Sequence, residues 1–217
     1  MTKGYMLRKR EIQMSKDPMT WTAERLSKGK YADYKFPVMV DGIGVRGSIY
    51  VSGCPFNCLG CYNKKAQNFS WGKDYTQEVE DQILKDISQD YCEGLTLLGG
   101  EPFLNTQVLL PLVKRIKSEL TGKTIWSWSG YTFEELTDSN AENWEDKLEL
   151  LSYVDVLVDG RFEQDKFNPN LVFRGSWNQR IIDVQRSIEK GSVVLWEDGK
   201  YLEGEDHTPI KLFSTRK

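Results

Sequence analysis

Val45-Arg-Gly-Ser-Ile-Tyr-Val51-Ser-Gly-Cys54-Pro-Phe-Asn-Cys58-Leu-Gly-Cys61 reads as a first β-strand, Val45 to Val51, that runs directly into a cysteine loop. The C-x3-C-x2-C spacing puts three thiols on one tight turn. Three thiolates so placed can hold three corners of an iron–sulfur cube and leave a fourth iron without a protein ligand, open to chemistry.

Outward from this stretch, strands and helices alternate. Val79, Ile83 and Ile87 fall four apart and predict a helix from Thr76 to about Ser88, with Glu78 and Glu80 suited to its first turn. Leu95 to Leu98 reads as a strand ended by Gly99-Gly100-Glu101-Pro102. A helix is expected over Asn105 to Leu120, kinked by Pro111 or regular only from about Leu110. Lys123–Ser127 and Val154–Val158 read as strands, 142–151 as a helix, and Asp159-Gly160 as a closing turn. Gln179–Val184 and Ser192–Glu197 read as further short strands. The pattern predicts an α/β fold with a parallel sheet. In such folds ligands gather at the carboxyl ends of the strands. The cysteine loop, the Gly-Gly-Glu-Pro turn, the Ser127–Tyr131 segment and the Asp159-Gly160 turn all fall there.

The 217 residues suit a single domain over 20–217, with a weakly ordered extension over 1–19 and a tail after about 185. Trp21, Tyr31, Tyr34 and Phe36 supply aromatic surface to dock residues 20–36 on the body. Hydrophobic residues make up 39% and charged residues 28%, with a net charge of −3. The pI near 5.4 carries no nucleic-acid signature. No apolar run reaches the roughly 18 residues of a membrane span, and the N-terminus lacks a signal-peptide core. A cytoplasmic protein without nucleic-acid or membrane partners is the expectation.

Four cysteines in a chain of this size point to metal or redox chemistry rather than a disulfide scaffold. Zinc is the competing reading for the loop. It requires four protein ligands, and only Cys92 or His207, the single histidine, could complete the set. Cys92 reads more simply as a partly buried thiol between helix and strand, and His207 as a surface residue.

The cysteine loop resembles the signature of radical S-adenosylmethionine enzymes. The whole chain is more closely similar to their glycyl-radical activating branch, the activating proteins of anaerobic ribonucleoside-triphosphate reductases. Asp41-Gly42-Ile-Gly44-Val-Arg46, Leu98-Gly99-Gly100-Glu101-Pro102-Phe103, Trp126-Ser-Trp-Ser-Gly130-Tyr131, Asp155-Val-Leu-Val-Asp159-Gly160-Arg161-Phe162 and Phe173-Arg174-Gly-Ser176-Trp-Asn178-Gln179-Arg180 carry that likeness, over roughly residues 20–185. Ile43 departs from it, standing where an acid is usual. Gly60 takes the place before the third cysteine where many radical enzymes have an aromatic, and Tyr62 follows instead.

The resemblance implies a partial (βα) barrel of parallel strands and a [4Fe–4S] cluster on Cys54, Cys58 and Cys61. It implies S-adenosyl-L-methionine bound at the open iron by its amino and carboxylate groups. Gly99, Gly100 and Glu101 would meet the methionyl ammonium, Gly60, Cys61 and Tyr62 the adenine, and Asp159 the ribose hydroxyls. Ser129 and Arg161 are further candidates for cofactor contact, and Arg46 for the cofactor carboxylate or for Asp41. One electron from a donor such as flavodoxin or ferredoxin would cleave the cofactor to a 5′-deoxyadenosyl radical. That radical would take hydrogen from a glycine Cα on the large subunit of the reductase. Trp126-Ser-Trp128 and Phe173–Arg180 offer aromatic and Arg surface for the partner, with core packing an equal alternative for the two tryptophans. The acid–lysine alternation of Glu142–Glu149 reads as a solvated helix face.

Overall fold

A computed structural model describes residues 15–141 and 144–196. Residues 1–14 of the expected extension, the start of the 142–151 helix, Glu197, His207 and the tail beyond 196 lie outside the described residues. In chain order the elements are α1 (Ala23–Leu26), β1 (Lys30–Val38), β2 (Val45–Val51), β3 (Lys73–Asp74), α2 (Gln77–Ile87), β4 (Cys92–Gly99), α3 (Thr106–Glu119), β5 (Thr124–Trp128), α4 (Phe133–Leu136), α5 (Trp144–Tyr153), β6 (Val156–Asp159), β7 (Arg180–Asp183) and α6 (Val184–Lys190).

The seven strands form one open sheet in the order β3-β1-β2-β4-β5-β6-β7. Its centre, β2-β4-β5-β6, is parallel as the alternation predicts. Its edges are not. β1 pairs antiparallel with both β2 and β3, and β7 pairs antiparallel with β6. The wholly parallel expectation is therefore corrected to a mixed sheet.

Strand alternation sorts side chains to two faces. Ile49, Val51, Leu95, Leu97, Ile125, Leu157 and Ile182 join the main core with Ile83 and Ile87 of α2, Leu109, Leu112 and Ile116 of α3, and Leu150 and Leu151 of α5. The intervening Trp126, Val156, Val158 and Ile181 form a second cluster on the opposite face, with Ile43, Trp128, Phe173 and Trp196 against it. Trp126 is thus core, not partner surface. Ile43, lacking the usual acid's charge, packs with it.

Several sequence expectations shift for local reasons. β1 hides its strand character because Tyr31 is the only residue it buries, while Asp33, Lys35 and Pro37 are exposed. α3 is regular from Thr106 through Pro111. Pro111 sits on the exposed side, where a carbonyl left without its helix partner meets water. α4 is short but capped, with Thr132 and Glu135 bonding reciprocally. Among its described residues, 192–196, the expected 192–197 strand contributes a single bridge, Ile182 to Leu195, and α6 precedes it. The α5 face is not wholly solvated: Lys147 is buried and its Nζ donates to the Trp21 carbonyl at 2.9 Å.

Candidate active site

The cysteine loop leaves the carboxyl end of β2 and is held at its root. Gly53 N–H donates to the Ala66 carbonyl at 2.6 Å and Cys54 N–H to the Gln67 carbonyl at 3.0 Å. The turn after β4 lies beside it. Gly100 N–H donates to the Val51 carbonyl and Glu101 N–H to the Gly53 carbonyl, both at 2.8 Å. A Cβ on Gly100 would stand 2.4 Å from the Gly53 oxygen, and one on Gly99 2.6 Å from the Tyr50 Cα. These glycines are required by close backbone approach, which welds the two motifs together.

Between them opens a cavity of about 380 Å³. Cys54, Cys58, Cys61, Tyr62, Gly99, Gly100, Glu101 and Ser129 line it. Eight of the expected site residues therefore meet at one place. Two do not. Gly60 is not among the lining residues, and Gln164 and Phe162 occupy the space where a Cβ on it would stand. Asp159 is buried with its carboxylate committed elsewhere. One oxygen accepts from Arg180 Nε at 3.0 Å; the other accepts from the Phe133 N–H at 2.8 Å and from Arg180 Nη2. Through these contacts it joins β6, β7 and α4.

Glu101 is the most deeply held polar group of the cavity wall, 1% exposed. It accepts from Phe103 N–H at 3.1 Å, Ser129 Oγ–H at 2.9 Å and Gly130 N–H at 2.8 Å. Burial pushes its carboxyl up to about 7, although all three donors pull the other way. A cation entering the cavity would favour the ionised form. Tyr62 stands fully exposed at the cavity's edge. Arg161 pairs with Glu135 at 2.9 Å and lies over the Phe56 ring.

Arg46 meets neither the cavity nor the Asp41 carboxylate. Its guanidinium, 1% exposed, donates to Thr96 and Thr124 hydroxyls and to the Ile43, Leu95 and Thr124 carbonyls. Burial lowers it to about 10. Asp41 accepts from the Tyr50 hydroxyl at 2.9 Å instead.

The wall also includes residues that the sequence does not assign to a cofactor site: Tyr50, Leu98, Trp128, Phe173 and Gln179. Strand parity identifies the first three, since each lies one residue from an Ile, Leu or Ser on the helix-covered face. Phe173, at φ 58°, owes its place to a contact far apart in sequence. Trp128 Nε1–H donates to its carbonyl at 2.8 Å.

The donor set favours a cluster over zinc. Among the described residues no three His, Cys, Asp or Glu side chains converge closely enough to hold one metal ion. Three thiols spread round one cavity suit a cluster, where each binds a different iron. Burial raises Cys54 and Cys58 and favours their protonated form, and a bound metal would displace those protons. Cys92 begins β4 while the loop lies beyond its far end, ~20 Å along the strand. Its buried thiol donates to the Gly94 carbonyl.

A family model described as a 4Fe-4S single cluster domain matches residues 40–182. The anaerobic ribonucleoside-triphosphate reductase-activating protein of Pasteurella multocida is 45% identical over 155 residues, covering 70% of this chain and 95% of that relative. Those of Vibrio cholerae and Escherichia coli are 44% and 40% identical over 151 residues, each covering 67% of this chain and 93% and 94% of the relative. The chain belongs to this family of reductase-activating proteins. The 4Fe-4S single cluster match takes in β2, the cysteine loop, the parallel centre of the sheet and β7 as far as Ile182, so the cavity described above lies inside it. β1 and the segment before it precede the matched residues. No helix among the described residues is long and apolar enough to cross a membrane.

Proposed function

We propose that the chain activates an anaerobic ribonucleoside-triphosphate reductase by forming a glycyl radical on its large subunit. The observation that carries this reading is the junction of the cysteine loop with the Gly99-Gly100-Glu101 turn around one cavity. Cys54, Cys58 and Cys61 would hold a [4Fe–4S] cluster, and S-adenosyl-L-methionine would sit on its open iron. When bound, this pair supplies one-electron cleavage of the sulfonium and hydrogen-atom abstraction from a glycine of the partner.

The chain's own residues bind and exclude water. Glu101, held ready by Ser129 and Gly130, balances the ammonium of the cofactor's amino-acid end. The Gly99 and Gly100 backbone brings its polar groups to the same place. Trp128, Phe173 and Leu98 give the cavity an apolar wall. We read the parallel strands β2, β4 and β5, whose Tyr50, Leu98 and Trp128 line one cavity, as part of a partial barrel. A soluble donor such as flavodoxin or ferredoxin would supply the electron in the cytoplasm.

Anaerobic reconstitution is expected to give a brown protein with about four irons per chain. After reduction it should cleave S-adenosylmethionine and raise a glycyl doublet in the electron paramagnetic resonance spectrum of the reductase large subunit. A colourless chain carrying one zinc would overturn the cluster. Cofactor cleavage with no doublet would overturn the choice of partner.

A further inference from the structure

Phe56 lies in the middle of the cysteine loop, between Cys54 and Cys58, and is caged on several sides. The Tyr131 ring meets it edge-on at 4.9 Å, and the Arg161 guanidinium lies over it at 4.6 Å. Gly130 leaves it room, since a Cβ there would stand 2.5 Å from the ring. The remaining wall comes from outside the residues matched by the family model, which begin at 40. Trp21 meets Phe56 at 5.1 Å with planes at 63°.

The segment carrying Trp21 is fastened at several points. Trp21 Nε1–H donates to the Ser15 carbonyl at 2.7 Å, and its own carbonyl accepts from buried Lys147. The Tyr131 hydroxyl donates to the Pro18 carbonyl at 3.0 Å, so one residue touches both Phe56 and the strap. Asp17 caps the Pro18–Thr20 turn and Thr22 caps α1. Ser27 Oγ–H, at the end of α1, donates to Asn105, whose amide holds the Glu101 carbonyl. Residues 15–19, expected to be weakly ordered, are docked in this way.

We infer that Trp21 is a positioning residue for the iron–sulfur site, acting through Phe56 to hold the cysteine loop closed around its cluster. It restrains the loop residue on which the spacing of the first two cysteines turns. The inference rests on the cluster assignment but not on the identity of the radical's target.

The test uses the full chain, reconstituted anaerobically, and follows bleaching of the cluster's visible absorbance and iron release to a chelator. Trp21→Ala is expected to take up iron normally yet lose its cluster about two- to thirteenfold faster, the range of one edge-to-face aromatic contact expressed as a rate. Trp21→Phe, which keeps a ring on Phe56, should restore most of the retention. In a Phe56→Leu background Trp21→Ala should add little, because the two residues act as one unit. Bleaching at the wild-type rate in Trp21→Ala, or full additivity with Phe56→Leu, would overturn the inference. A wild-type chain that took up no iron would instead overturn the cluster assignment on which it stands.

Discussion

The Glu101 amide donates to the Gly53 carbonyl at 2.8 Å, one residue before Cys54, so the turn that would receive a ligand's ammonium is bonded to the root of the loop that would hold the metal. Gly100 makes this approach possible. Gly100→Ala would put a methyl 2.4 Å from the Gly53 oxygen, and backbone cannot yield as a flexible side chain can. The variant is expected to lose about 1–3 kcal/mol of stability and to retain less than the wild-type iron after reconstitution. Normal iron content would show that the two motifs move independently.

Glu101 also sets a pH dependence. Its carboxyl, ordinarily near 4.5, is raised to about 7 by burial. Between these values the folded chain keeps a proton that the unfolded chain has released. The associated stability is fully present below pH 4.5 and is lost as pH rises through 7, on the order of 3 kcal/mol in all. Metal-free wild type should therefore weaken relative to Glu101→Gln between pH 4.5 and 8, measured by urea unfolding. Parallel curves would exclude the effect.

Asp159 is expected to act in folding rather than in cofactor binding. Asp159→Asn weakens the contacts to Arg180 and Phe133 and should cost about 1–3 kcal/mol. Affinity for S-adenosylmethionine, measured calorimetrically on reconstituted protein, should stay within about twofold. A tenfold loss, or about 1.4 kcal/mol, would return Asp159 to the cofactor site.

The cysteines should separate cleanly. Cys58→Ser is expected to leave a folded chain that no longer cleaves S-adenosylmethionine. Cys92→Ser, at the opposite end of β4, should keep the cluster and lose about 1–3 kcal/mol from burying a hydroxyl. Iron analysis of the second variant checks this directly; cluster loss there would make Cys92 a ligand.

Arg46 tests the lower half of the sheet. From β2, its donors satisfy two threonine hydroxyls and three carbonyls of β4, β5 and the segment before β2. Arg46→Ala strands those acceptors and should destabilise the chain by about 3–5 kcal/mol. Binding of S-adenosylmethionine to whatever fraction remains folded should be unchanged.

Much of this molecule was legible in one dimension because local chemistry specified it. The C-x3-C-x2-C spacing needs no partner to bring three thiols onto one loop. Val79, Ile83 and Ile87 announce a helix face by period, and the strand–helix alternation announces a parallel centre. Tertiary structure decided the rest. Whether β1 and β7 run antiparallel depends on which edge each strand finds. Whether Asp159 meets a ligand or Arg180 depends on a residue 21 positions away. Trp21 reaches Phe56 only because Lys147 and Tyr131, more than 100 residues further along, hold its segment down. Residue type and spacing thus name the chemistry a chain can carry. Long-range packing assigns each charge and ring its partner, because a buried polar group takes whichever complement the fold brings within hydrogen-bond reach.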